Sequence, residues 1–151
     1  MSYNLFLDDF RTPQVAYRVV HDPRYNNLSW VIAKDYNEFV KRIEDLGIPD
    51  LVAFDHDLAD AHYNECQKLM TDAEYDTLGE KTGYHAAKYL VNKCVLEGLS
   101  IPDYIIHTQN YNGGLAIRSI MESGKKIIRI AKEAQERGET LDTLPEYDKP
   151  L

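Results

Sequence analysis

The chain has 151 residues, 44% of them hydrophobic and 28% charged, and a formal net charge of −8. Those proportions fit one ordinary globular domain, and the acidic balance excludes a protein that grips nucleic acid through an extended basic surface. Cys66 and Cys94 form no close-spaced pair, and no run of about 18 apolar residues occurs, so no zinc knuckle, disulfide framework or membrane span is expected, and a cytoplasmic location is.

Tyr3 to Leu7 has the composition of a first strand, closed by Asp8-Asp9 and then by Arg11-Thr12-Pro13, where the proline ends regular pairing. Residues 14 to 28 hold a candidate short strand, Tyr17 to Val20, and a turn-rich stretch from His21 to Asn27, with no clear amphipathic helix. Trp30 to Ala33 is a second apolar run. Asp35, with Glu38 three residues on, has the form of a capping box, and Tyr36, Phe39, Val40, Ile43 and Leu46 continue at helical spacing to Gly47. Asp50 to Phe54 is a compact apolar run of the kind expected of a strand covered on both faces. Residues 59–80 are polar and acidic without a period, an insertion rather than core. Thr82 to Leu99 returns to helical spacing, Pro102 introduces a strand over Tyr104 to Ile106, and Asn112-Gly113-Gly114 opens a helix with a break expected near Gly124. Ile127 to Ala131 suits a last strand or a helix, and the helix formers from Lys132 to Glu136 favour the helix. The alternation of strands and helices predicts a three-layer α/β sandwich with a mainly parallel sheet, one domain over residues 1–137 and a tail over 138–151.

Three of these strands end in polar bursts: Asp8-Asp9, Asp55-His56-Asp57, and His107-Thr108-Gln109-Asn110. In a parallel sheet the carboxyl ends share one edge, where ligands bind. A single acid pair at a strand end is as readily a turn or a helix cap. Two acid clusters are different, because carboxylates about 5 Å apart repel by roughly 3 kcal/mol at an effective dielectric near 20. Protons, cationic side chains or a metal must offset that. Asp8, Asp9, Asp55 and Asp57 are therefore candidate ligands for Mg²⁺ or Mn²⁺, and neighbouring imidazoles would tilt the choice towards Mn²⁺ or another transition ion. Arg11 is either a structural partner of the acids or a phosphate contact.

Side chains alternate along a strand, so a persisting strand turns His56 away from Asp55 and Asp57 as a packed histidine, whereas a strand that stops at Asp55 lets all three face the crevice. His107 stands beside Thr108, Asn110 and a glycine-rich helix start, whose Gly113 and Gly114 amides are an expected anion site. His21, His62 and His85 lack such surroundings and are expected on the surface or in packing. Tyr111 is expected to pack, with stacking on a base the alternative.

The segments Leu5 to Pro13, Phe54 to Leu58 and His107 to Gly113 resemble, in order and spacing, the signatures of cyclic-phosphate-processing receiver-like domains, divergent relatives of response-regulator receivers widespread in bacteria and phages. Lys81-Thr82-Gly83 is similar to that family's glycine-bearing helix start. The likeness spans about residues 3–122 and departs from the family at Asn112-Gly113, where Pro-Gly is common. It implies a receiver-like (flavodoxin-like) fold and the processing of a cyclic phosphate on a nucleotide or an RNA end.

The expectation is thus a phosphodiesterase, a hydrolase of a cyclic nucleotide or of a cyclic-phosphate RNA end. His107, His56 and Asp55 would be its catalytic groups, with His107 the general acid. Arg11, Thr108, Asn110, Gly113 and Gly114 would bind substrate, and Asp8, Asp9, Asp55 and Asp57 would bind a divalent metal; a metal-free version would pair the two imidazoles. The alternatives are a noncatalytic cyclic-nucleotide binder and a phosphoaccepting receiver. The acid pair, Asp55 and Thr108 suit a receiver, but Lys132 is a poor match to its lysine.

Overall fold

The computed structural model describes residues 2–58 and 69–138. Its elements run β1 (Asn4–Leu7), α1 (Pro13–Val20), α2 (Arg24–Asn27), β2 (Val31–Ala33), α3 (Tyr36–Leu46), β3 (Leu51–Phe54), α4 (Asp72–Asp76), α5 (Gly83–Glu97), β4 (Asp103–Ile106) and α6 (Tyr111–Glu136). The four strands form one sheet in the order β2-β1-β3-β4, and every pairing is parallel.

Alternation along the strands splits the core in two. Leu5, Leu7, Val52 and Phe54 face α3, α5 and α6, where Phe39, Ile43, Leu90, Ile117 and Met121 close the larger cluster. Phe6, Ala53 and Ile105 face Ala16 of α1 and Tyr25 of α2. Helices therefore cover both faces of the sheet, giving three layers. β3 is buried at all four positions, as its unbroken apolar run requires.

Residues 13–20 correct the sequence expectation of a strand at Tyr17 to Val20 and of no helix after β1. Val19 and Val20 favour strands, yet Thr12 caps the segment by accepting from the Val15 amide, and Pro13 sits at a helix start, where its missing N–H costs nothing. Pro13, Ala16 and Val20 then share one apolar face, and Ala16 and Val20 meet the sheet. The expected break at Gly124 is also absent. α6 runs unbroken over 26 residues, and a Cβ at Gly124 would lie 2.7 Å from Val91 Cγ1, so this glycine lets α5 and α6 approach closely. Ile127 to Ala131 lies inside that helix.

Of the polar insertion at 59–80, residues 59–68 lie outside the described residues, as do His62 and Cys66; so does the tail from 139 onward. The remainder departs from the reading as non-core excursion. Thr71 and Glu74 form a capping box on α4, and Tyr75 within it is buried to 1% exposure. His85 is likewise not idle, since its Nδ1 accepts from the Thr82 amide at 2.8 Å and completes the cap of α5.

α5 is pinned to the end of β3. The Gly83 amide donates to the His56 carbonyl at 2.8 Å, and a Cβ at Gly83 would lie 1.9 Å from the Asp55 carbonyl oxygen. Gly83→Ala should therefore destabilise the protein by about 3 kcal/mol in urea unfolding. Gly79→Ala, with nothing within 4 Å, should change it by less than about 0.5 kcal/mol.

Candidate functional site

Strand register places the acids. Leu7 pairs with Ala33 and with Phe54, and Phe54 pairs with Ile106. The ladder then continues one rung further: the Asp8 amide donates to Ala33 O at 3.1 Å, Asp55 to Leu7 O at 3.0 Å and His107 to Phe54 O at 3.0 Å. Asp8, Asp55 and His107 thus stand in one row. Carboxylate oxygens of Asp8, Asp9 and Asp55 lie within 4.8 Å of one another.

The Asp8 carboxylate is fixed on several sides. Its Oδ1 accepts from the amides of Phe10 and Arg11, both at 2.8 Å, and its Oδ2 faces His107 Nε2 at 3.0 Å. Burial alone would raise its pKa, but the His107 hydrogen bond and the two amides outweigh burial and hold it below the usual carboxylate value. Asp55 goes the other way. Burial first, and the Asp8 charge second, push it up to about 8, against smaller opposing effects of Arg11, the His56 amide and the Thr108 hydroxyl. Its Oδ1 accepts from the His56 amide at 2.9 Å, whereas Oδ2 is buried without a hydrogen-bond partner. Arg11 Nη1 lies 3.6 Å from Asp8 Oδ2 and 3.9 Å from Asp55 Oδ1.

The Asp8 and Asp55 carboxylates thus share the Arg11 guanidinium, Asp9 brings a carboxylate oxygen close to both, and Asp55 Oδ2 has no hydrogen-bond partner. This set of hard oxygen donors fits a divalent cation such as Mg²⁺ or Mn²⁺. Asp57 stands apart from it. Its Oδ1 is 2.7 Å from His56 Nδ1 and 3.3 Å from Asn110 Nδ2, so the structure does not bring it to the triad as the sequence reading expected.

The two imidazoles also depart from expectation, because neither faces the crevice. His107 is 1% exposed, stacks on Phe6 with ring centroids 4.8 Å apart, and has its Nδ1 3.0 Å from the Tyr25 hydroxyl. Burial, with Arg11 adding to it, lowers its pKa despite the Asp8 contact. The neutral ring accepts from Tyr25 at Nδ1 and donates to Asp8 from Nε2. With both nitrogens engaged, it orients Asp8 and is not placed as a general acid. His56 is fully buried, with Nδ1 on Asp57 and Nε2 2.7 Å from the Tyr75 hydroxyl. Strand alternation separates the two rings onto opposite sheet faces, so they form no acid/base pair. With both imidazoles occupied, the reason to favour Mn²⁺ over Mg²⁺ also disappears. Tyr25 and Tyr75 are the partners that the sequence reading missed.

The anion site expected at the start of α6 is occupied by the protein itself. The Gly113 amide donates to Asn110 Oδ1 at 2.9 Å, and the Gly114 amide donates to the Asn110 carbonyl at 2.9 Å. Asn110 is therefore a helix cap tied to Asp57, not a ligand-facing amide. Gly113 is needed for another reason: a Cβ there would lie 2.4 Å from His56 Cγ. Thr108 accepts from the Asn110 amide at 3.2 Å and remains half-buried beside the acids. A cleft of about 400 Å³ opens on the same edge of the sheet, lined by Asp35, Tyr36, Leu58 and Lys81 among others.

A parallel sheet of four strands, ending in a buried acid cluster between covering helices, defines a receiver-type α/β domain. The family model of the cyclic-phosphate processing receiver domain matches residues 3–123, and the chain belongs to that family. No curated protein and no solved structure matches the chain. No described helix is long and apolar enough to cross a membrane.

Asp55 gives a test of the cation fit. Its folded pKa, about 8, lies above the ordinary 3.8, so its contribution to stability is complete below the lower value and is lost as pH rises through the higher one. Mg²⁺ should therefore raise Tm more at about pH 9 than at about pH 6. Asp55→Asn should raise the metal-free Tm at the higher pH and remove the Mg²⁺ response. An undiminished Mg²⁺ response in that variant would rule the triad out as the cation site.

Proposed function

We propose that this chain is a metal-assisted phosphodiesterase that opens a cyclic phosphate on a nucleotide or an RNA end. The observation that carries this reading is the cluster of Asp8, Asp9 and Asp55, the first and last buried and Asp9 partly exposed, with an unsatisfied Asp55 oxygen and the Arg11 guanidinium beside Asp8 and Asp55, in a chain of the cyclic-phosphate processing family. A divalent ion bound there would supply Lewis acidity, activating water and offsetting charge on the phosphoryl oxygens. The reaction adds water at phosphorus, breaks one ring P–O bond and leaves a phosphomonoester and a free hydroxyl.

The protein's own groups then have distinct tasks. Asp8, Asp9 and Asp55 would hold the cation. Arg11 and the Thr108 hydroxyl lie beside the acids, placed to meet nonbridging phosphate oxygens. His107 acts through Asp8: it fixes the carboxylate as an outer hydrogen-bond partner fixes a ligand. The net charge of −8 favours a small ligand or a short end over a long strand.

The phosphoaccepting receiver keeps a claim through Asp55, placed at the end of β3 beside Asp8, Asp9 and Thr108. Against it, the described sheet has four strands, and the chain after β4 becomes α6 instead of a fifth strand ending in a lysine.

The test incubates the protein with 2′,3′-cyclic mononucleotides, 3′,5′-cyclic mononucleotides, cyclic dinucleotides and 2′,3′-cyclic RNA ends, with Mg²⁺, Mn²⁺ or EDTA, and reads products by mass. Ring opening that EDTA abolishes is expected, with Asp8→Asn slower by at least about 10²-fold and His107→Gln slower by about 10- to 100-fold. Tight binding with every ligand recovered intact would make the chain a binder. Stoichiometric phosphorylation of Asp55 by acetyl phosphate would make it a receiver.

A further inference from the structure

Fourteen aromatic residues of the Phe, Tyr and Trp types fall within the described residues, and two of them are exposed: Phe10 at 81% and Tyr111 at 77%. Single exposed apolar side chains are common and need no explanation. These two are set apart by where they stand. Phe10 follows Asp9 and precedes Arg11, and its own amide is bonded to Asp8 Oδ1 at 2.8 Å. Tyr111 is the first residue of α6, directly after the Asn110 cap that is locked to Gly113 at 2.9 Å. The Phe10 backbone is thus held by a hydrogen bond of the acid cluster and Tyr111 follows the fixed cap of α6, while both rings are exposed to solvent. One rises from the loop after β1 and the other from the loop after β4, on either side of the β3 end that carries Asp55.

The geometry points to a nucleobase as the group these rings receive. A rigid backbone with a solvated aromatic ring is a stacking platform, and every base offers a π-face to it. The residues near them in sequence, Asp9, Gln109 and Asn112, are polar, and Leu115, one turn further along α6 from Tyr111, is 40% exposed. The substrate class is then a cyclic phosphate that carries a base, in which Phe10 and Tyr111 bind the base while the acid pocket binds the phosphate. This assignment rests on the phosphodiesterase reading for the phosphate end of the ligand but not for the base.

The probe is 2-aminopurine riboside 2′,3′-cyclic phosphate, whose fluorescence falls when the base stacks, titrated into the Mg²⁺-loaded full chain. Quenching is expected, with Kd about tenfold weaker in Phe10→Ala or Tyr111→Ala and restored in Phe10→Tyr and Tyr111→Phe. Leu96→Ala, another exposed apolar position at 74%, should bind as the parent does. In turnover, the preference in kcat/KM for the nucleotide over ethylene phosphate, a cyclic phosphate without sugar or base, should fall about tenfold in the alanine variants. Quenching without hydrolysis would uphold the stack and remove the phosphodiesterase. Hydrolysis with no quenching, or with the same Kd in both alanine variants, would overturn the stack. A change of oligomeric state in those variants, without a change in Kd, would reassign the rings to a protein contact and also overturn it. An RNA oligonucleotide ending in the same cyclic 2-aminopurine nucleotide separates the two sources of the ligand: tighter binding marks RNA ends, equal binding marks free nucleotides, and both uphold the stack.

Discussion

The site depends on strands that stop on the same rung. Leu7, Phe54 and Ile106 are level across β1, β3 and β4, and the amides of Asp8, Asp55 and His107 each add one more ladder bond. A slip of one residue in any strand would turn its side chains to the opposite face. The apolar alternation that fills the core therefore also sets the positions of the acids. Packing energy, distributed over two clusters of buried residues, holds an arrangement that electrostatics alone would disperse.

That repulsion is managed unevenly. Asp8 receives two amides and an imidazole and stays easily ionised, while Asp55 is left to hold a proton or meet a cation. The asymmetry gives the pocket a resting state without a metal and a reason to bind one. It also explains the buried histidine. A neutral His107, fed from Tyr25, donates to Asp8 without adding a full charge that would compete with an incoming cation.

Much of this was legible in the sequence, and the failures have physical causes. Local patterns identified all four strands, the cap at Asp35, and the acid clusters. α1 was hidden because Val19 and Val20 carry a strand bias while the evidence for a helix lay in Thr12 and Pro13. The imidazole roles were hidden because burial decides them, and burial comes from partners far along the chain: Tyr25 is 82 residues from His107, and Tyr75 is 19 from His56. Gly113 was visible as a glycine but not as the face on which His56 rests. Asp57 was grouped with Asp55 by proximity, whereas the end of β3 at Phe54 frees it to turn towards Asn110.

His56 joins parts of the protein that no strand connects. Its two nitrogens reach Asp57 and Tyr75, its ring lies against Gly113, and Asp57 continues to the Asn110 cap. The turn after β3, the short helix α4 and the first turn of α6 therefore share one set of hydrogen bonds. Opening any of them leaves buried polar atoms unsatisfied in the others, so the three behave as one cooperative unit. The rim on the α4 and α6 side of the acid pocket is accordingly rigid as a block.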